Sequence, residues 1–322
     1  MGIIIGSLEQ GLIYAIMALG VFISFKILSF PDLSVDGSFP MGAAISALLI
    51  TSGVNPLLSL LFAFSGGALA GLFTALLNTK GKIDGLLAGI LTMTALYSIN
   101  LKIMGTANLS IYRHRTIFTP LRELRANLLA NYGETKFILT LNQWLFVIVL
   151  ALALYAIKKS LDWFLRTDFG LAICATGDNP KMIRSFGVNT NLSTVVGLML
   201  ANGLVGLAGG MLAQYQGYAD VQMGIGMIVI GLASVIIGYV IFGSKSIKRA
   251  TFAVLIGAII YRFVIALAIY LPFIGPTDMK LITAIIVIIA LVFPNISKNF
   301  KQRLGINKNS KNEITTDLGE VD

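Results

Sequence analysis

The chain has 322 residues, of which 56% are hydrophobic and 12% charged, with a formal net charge of +9 and a mean hydropathy of +0.85. Soluble domains carry about 25% charged residues, so this chain lacks the polar surface that a water-soluble fold of its size needs, and it reads as a polytopic membrane protein. A single cysteine, Cys174, and a single histidine, His114, exclude an intrachain disulfide, a thiolate metal cluster and a histidine-rich zinc site or proton relay.

A membrane-crossing helix needs about 20 mostly apolar residues. In chain order the candidates are 3–25, a shorter stretch at 41–54, then 57–78, 85–104, 138–157, 192–213, 225–242, 250–270 and 279–295. The expected fold class is therefore all-α and polytopic, with about 8–10 transmembrane helices. Met1–Gln10 has no basic leader, and the apolar run to Phe25 is longer than a signal-peptide core, so the first segment reads as a retained span.

Lys and Arg sort by side. Segments 79–84, 158–190, 243–249 and the tail hold 15 of them; the intervening loops hold 6, at Arg113, Arg115, Arg122, Arg125, Lys136 and Lys280. The first set is expected to be cytoplasmic, which also accounts for the positive charge through contact with anionic lipid, with no nucleic acid required. Five spans before the 158–190 loop, counting the short one, would set the N-terminus outside; a re-entrant first segment or a split second span would reverse that parity.

The second apolar run is interrupted from Phe30 through Pro40, leaving 41–54 as a helix too short to span. Such broken segments point to a transporter's pathway, because freed backbone groups must line protein or water rather than lipid. Asp32, Ser34, Asp36 and Ser38 fall in this break. The two carboxylates could attract a substrate ammonium, or Asp36 or Ser38 could cap the half-helix starting near Pro40 while the carboxylates pair with a cation such as Lys26. Glu9, Asn100, Lys102, Asn202 and Arg262 are the other polar residues within spans. Arg262, well inside its span, is the candidate counter-ion to a buried Asp or contact for a substrate carboxylate; Lys102 is expected to snorkel.

The loop at 105–137 carries Leu121, Leu124, Leu128 and Leu129 at helical spacing among Arg122, Glu123 and Arg125, an amphipathic helix for the outer interface or for an external partner. Small residues recur at helical spacing at Gly67/Gly71, Gly85/Gly89 and Gly203/Gly206/Gly209/Gly210, the signature of closely packed spans. Gly238 and Gly243-Ser244-Lys245-Ser246 mimic a nucleotide loop, but the lysine is displaced by one residue and the preceding segment is an apolar span, so any ATPase must be another chain. Segments 84–96 and 220–233, both Asp-led and Gly-rich, form a weak inverted echo. Residues 297–322 read as a polar cytoplasmic tail after a permease domain at 1–296.

The most specific segment is the basic-side loop at 167–190. Its second half has full helix punctuation: Asp178 or Asn179 to cap, Pro180 for the first turn and Gly187 for the left-handed C-terminal position. Met182, Ile183 and Phe186 share a face flanked by Lys181 and Arg184. Six or seven residues make a marginal helix alone in water, so the segment is either an interfacial linker or a helix that docks into a partner's groove.

This loop, with Phe169-Gly170, Gly177-Asp178-Asn179-Pro180 and Phe186-Gly187, closely resembles the coupling loop of ABC-importer permeases of the branched-chain amino acid and ribose type. Asp32-Leu33-Ser34-Val35 and Gly231 through Gly238 are similar to further stretches of that family, and Asp32 through Pro40 looks most like its tryptophan/tyrosine-type subgroup. The resemblance spans roughly residues 8–295. It implies a type II ABC importer-like permease of a bacterial plasma membrane, with no catalytic residues, metal or cofactor of its own. It also implies dimerisation, most simply with a second copy, a pair of cytoplasmic ATPase subunits and an extracytoplasmic substrate-binding protein or lipoprotein. The implied coupling residues are Gly170, Gly177, Asp178, Asn179, Pro180, Met182, Ile183, Arg184, Phe186 and Gly187. The implied cargo is an amino acid, nearest to the aromatic ones; branched-chain amino acids, nucleosides and sugars are the alternatives within the family, and an ion-coupled secondary transporter is the alternative outside it.

Overall fold

Apolar runs become helices between side-chain caps. In the computed structural model, which describes residues 2–124, 136–243 and 246–269 together with 281, 284, 285 and 288, α1 spans Gly2–Phe22 and continues through a π turn, Ile23–Ile27. Helix α2 is Val35–Thr51 and α3 is Pro56–Thr79. The start of α3 is set by Pro56 in its first turn and by the Asn55 side chain, which accepts from the Leu57 amide at 2.9 Å. Helix α4, Gly85–Met104, starts on Asp84, which accepts from the Leu86 amide, and stops at Gly105 with φ of 69°. Helices α5 (Lys136–Phe164), α6 (Asp168–Asp178), α7 (Pro180–Ser185), α8 (Thr190–Gln216), α9 (Met227–Phe242) and α10 (Ile247–Ile269) follow.

Among the described residues, seven helices are long and apolar enough to cross a membrane, and α2 is a shorter apolar eighth. They cover every expected span except 279–295, which lies outside the described residues apart from isolated helical positions, as does the tail at 297–322. The amphipathic outer helix is described only over 119–124; Arg125, Leu128 and Leu129 lie outside the described residues.

Helices α1 and α8 are the inner pair, with 83% and 72% of their apolar stretches buried, against 28% for α4 and for α5. Helix α8 packs on α1, α2 and α3. The small-residue spacing works as expected: Gly67 and Gly71 of α3 lie against the α8 carbonyls of Asn202 and Leu198, and Gly42 of α2 lies against Gly206, with no room for a Cβ at any of them.

Two features depart from the sequence reading. A two-stranded antiparallel ribbon, β1 (Asn108–Ser110) with β2 (Tyr218–Asp220), pairs Leu109 with Ala219. After β2 a short 3-10 turn, Val221–Gly224, leads into α9. The break before α2 is also shorter than expected. It covers 28–34, and the helix runs straight through Pro40 rather than starting near it. Proline removes a donor, here the one that would reach the Asp36 carbonyl, and Gly224 packs against that carbonyl and the Pro40 ring.

Candidate functional site

The 28–34 break brings three of the expected pathway residues to one point. Asp32 is fully buried, and its carboxylate accepts from the Ser34 amide at 2.9 Å, from the Ser34 hydroxyl and from the Asn202 side-chain amide at 2.7 Å. The Asn202 oxygen in turn accepts from Ser38 at 2.6 Å, with Ser34 at 3.2 Å. Asn202 lies midway along α8 and has no solvent exposure. A buried carboxylate is costly unless its lone pairs are filled, and this clasp fills them without a cation.

Asp36 sits one helical turn further on, yet it is not part of the clasp. Its two oxygens accept from the amides of Gly226, at 2.9 Å, and Ile228, at 2.8 Å. It therefore caps the start of α9, which has no side-chain cap of its own. The expectation that Asp36 caps its own half-helix is corrected: the orphan amides it satisfies belong to a helix 190 residues away. The expected pairing with Lys26 is absent as well. Lys26 lies over the Tyr239 ring at 5.9 Å, and among the described residues the one ion pair is Lys158–Asp162.

Arg262 is apart from both carboxylates. Its guanidinium donates to the Gln10 side chain and covers the Tyr14 ring at 5.0 Å, so it joins α10 to α1 and is not a counter-ion to a buried Asp. Glu9 accepts from the Tyr215 hydroxyl at 2.7 Å. Lys102 is exposed, and Asn100 donates to the Gly37 carbonyl at 3.0 Å.

The 167–190 loop folds as its punctuation demands. Thr167 caps α6 by accepting from the Gly170 amide. Asn179, not Asp178, caps α7 by accepting from the Met182 amide at 3.1 Å; Pro180 fills the first position and Gly187 has φ of 82°. No residue of α7 is buried: Met182 is 48% exposed, Phe186 is 74% exposed, Ile183 lies half-covered beside them and Lys181 points outward. Arg184 turns back to the Thr190 hydroxyl at 2.6 Å, anchoring α7 to the start of α8. The glycines face the other way. Gly170 lies against the end of α5, and Gly177 against the Ile27 carbonyl and Leu28. Helix α6 thus rests on the end of α1, at the edge of the 28–34 break.

Cys174, on this docked helix, is partly covered; burial and the nearby Asp178 carboxylate hold its thiol above its usual range.

One buried polar centre was not found from sequence. Gln214, at the far end of α8, accepts from the Ile117 amide at 3.0 Å and lies within hydrogen-bond distance of Ser46, Ser59 and the Pro56 carbonyl. Its signal was present, a glutamine inside an apolar helix twelve residues after Asn202.

Such an arrangement holds helices and leaves apolar side chains of the α7 segment exposed; among the described residues no group of acidic, His or Cys side chains could hold a metal. Comparison with known proteins agrees. The family described as "Branched-chain amino acid transport system / permease component" matches residues 3–292. A tyrosine transport system permease protein of Clostridioides difficile is 42% identical over 97% of this chain and 99% of its own length. An uncharacterised protein of Rickettsia prowazekii is 33% identical over 90% of this chain and 97% of its own length. A ribose import permease protein of Haemophilus influenzae is 27% identical over 81% of this chain and 75% of its own length. No solved structure gives a significant match. The chain belongs to the branched-chain amino acid transport permease family, the multi-pass membrane subunits of ABC importers, which move cargo and are not enzymes themselves.

Proposed function

We propose that this chain is the permease of an importer for an aromatic amino acid, tyrosine or tryptophan, in a bacterial plasma membrane. The observation that carries the cargo is the 42% identity to a tyrosine transport permease along essentially the whole of both chains. In this reading two copies pair, an extracytoplasmic binding protein or lipoprotein delivers cargo, and two ATPase subunits work from the α7 side, which with the C-terminus is cytoplasmic.

Helix α7 is the ATPase contact. Its exposed Met182 and Phe186, with half-covered Ile183 beside them, favour that role, since an exposed apolar face on a basic loop is a poor lipid linker but a good ridge for a protein groove. Gly170, Gly177 and Arg184 position it, and the Gly177–Ile27 contact passes its movement to the 28–34 break. Asp32, Ser34 and Ser38 then hold the start of α2, Asp36 holds the start of α9, and the pathway opens and closes as these helix starts shift. Arg262 keeps α10 on α1 during that movement.

The experiment is reconstitution. A binding protein identified by co-purification with the permease is titrated with tyrosine, tryptophan, leucine and ribose, and uptake is measured in proteoliposomes with the ATPase subunits. Binding and ATP-dependent uptake of tyrosine or tryptophan support the reading. Preference for leucine or ribose overturns the cargo while leaving the importer in place.

A further inference from the structure

The seam between α5 and α10 bears a feature that transport does not use. The apolar part of α5 ends at Lys158, and at 29 residues this helix is about 43 Å long, longer than the roughly 30 Å hydrocarbon core. Its last two turns therefore stand at headgroup level. Lys159, Asp162 and Trp163 lie three and four residues apart on one face, and Arg166 stays beside them because its amide donates to the Trp163 carbonyl at 3.1 Å.

Asp162 is the hub of the seam. It is buried, it is paired with Lys158, and it accepts from the Thr251 hydroxyl at 2.7 Å. That bond fixes the first turn of α10, with Lys248 and Arg249, against the end of α5. Lys159, Arg166, Lys248 and Arg249 are all exposed, and among the described residues none of the four is in an ion pair. The one other carboxylate nearby in sequence, Asp168, begins α6. The same face of α5 continues into the membrane through exposed Tyr155 and Leu152, while Trp163 is 71% exposed between the cations. From one end to the other, this surface reads apolar, aromatic, cationic.

That is the order of a phospholipid. Acyl chains would lie along Leu152, the Tyr155 ring would sit at the glycerol level, where interfacial aromatics concentrate, and Lys159, Arg166 and Lys248 would surround the phosphodiester beside the Trp163 indole. We propose that the α5–α10 seam is a binding site for an anionic phospholipid headgroup. Phosphatidylcholine fits less well, since its own ammonium meets the unpaired cations Lys159, Arg166 and Lys248. The Asp162–Thr251 bond makes the site a preformed one shared by two helices.

Tryptophan fluorescence tests this directly. The chain has two tryptophans, so Trp144→Phe leaves Trp163 as the sole reporter in the full-length permease. In phosphatidylcholine nanodiscs carrying either acyl-brominated phosphatidylglycerol or acyl-brominated phosphatidylcholine, the expected result is about twofold stronger quenching by the anionic lipid. The preference should vanish in a Lys159→Gln/Arg166→Gln/Lys248→Gln background. High salt should weaken it in the unaltered seam, a measurement independent of how the triple variant folds. Equal quenching by both lipids, or an unchanged preference in the triple variant, overturns the site. So does loss of the preference on adding millimolar inorganic phosphate, which would make the seam a plain anion site. If adding ATPase subunits removes the preference, the seam belongs to the protein partner and the lipid proposal fails.

Discussion

The Asp32–Asn202 clasp and the exposed helix α7 invert each other. In the clasp, polar groups occupy the interior of an apolar bundle, each satisfied by the next. In α7, apolar groups occupy the surface of a basic loop and none is buried. A chain free to place residues by hydropathy alone would do the opposite in both places. The clasp makes sense as a device that fixes the start of α2 against the middle of α8. The exposed apolar ridge fits the proposed contact with the ATPase subunits. The two are joined, because α6 rests through Gly177 on Ile27 and Leu28, where the break leading to Asp32 begins.

The largest effect should come from breaking the clasp. Asn202→Leu removes a donor from a buried carboxylate and an acceptor from Ser38, and should cost on the order of 3 kcal/mol, read as a fall in the thermal midpoint of the purified permease. The exchange Asp32→Asn with Asn202→Asp keeps the complementarity and should recover at least half of that loss. If Asn202→Leu melts like the parent, the clasp is not what holds α2.

Replacing Met182 and Phe186 with Asp tests the other pole. Both side chains are exposed, so the fold should stay within about 0.5 kcal/mol of the parent. Co-purification with the ATPase subunits should be lost. Assembly that survives would mean the exposed ridge is only a linker surface.

These two poles were not equally legible in the sequence. The α7 punctuation is local: Asn179, Pro180 and Gly187 act on their own neighbours, so cap, first turn and stop could all be read in order. The clasp residues Asp32, Ser34 and Ser38 were noticed for the same local reason, as polar groups at a break. Asn202 also stands out as a polar residue within a span, but its pairing with them does not, because it lies 170 residues from Asp32 and nothing in the sequence near Asp32 encodes the contact. Asp36 was misassigned for the converse reason. A local rule offered its own helix to cap, and a distant helix start without a cap took it instead. By its local chemistry Pro40 reads as a breaker, whereas the carbonyl it deprives of a donor is covered by Gly224 from beyond β2. Among the described residues the spans were legible because hydropathy is a sum over many residues and tolerates local surprises.

The link between the poles can be loosened in two graded steps. Gly177→Val would drive a side chain into the Ile27 carbonyl; overpacking of this kind costs about 1–3 kcal/mol. Uptake should fall while ATPase binding persists, since α7 itself is untouched. Normal uptake in this variant would remove the Gly177 contact from the transmission route. Asp36→Ala strips the cap from α9 and should cost about 1 kcal/mol, seen as a small drop in thermal midpoint; no change would mean that water replaces the carboxylate at the Gly226 and Ile228 amides.

The smallest effect is also the one that reads the link in place. Cys174 lies on α6, and its thiol is held above its usual range first by burial and then by Asp178. A raised thiol value means less thiolate at neutral pH. Maleimide labelling of the assembled transporter should therefore be slow near pH 7 and climb as pH rises through the alkaline range. Asp178→Asn removes only the lesser cause and should speed labelling by less than about threefold. Burial, the larger cause, is a property of α6 resting on the bundle. If ATP-driven closure lifts α6 away from α1, labelling should quicken in the presence of nucleotide and ATPase subunits far more than Asp178→Asn quickens it alone. A rate unchanged through the transport cycle would mean that α6 never leaves the bundle, and that force from α7 reaches the clasp through a rigid contact and not a moving one.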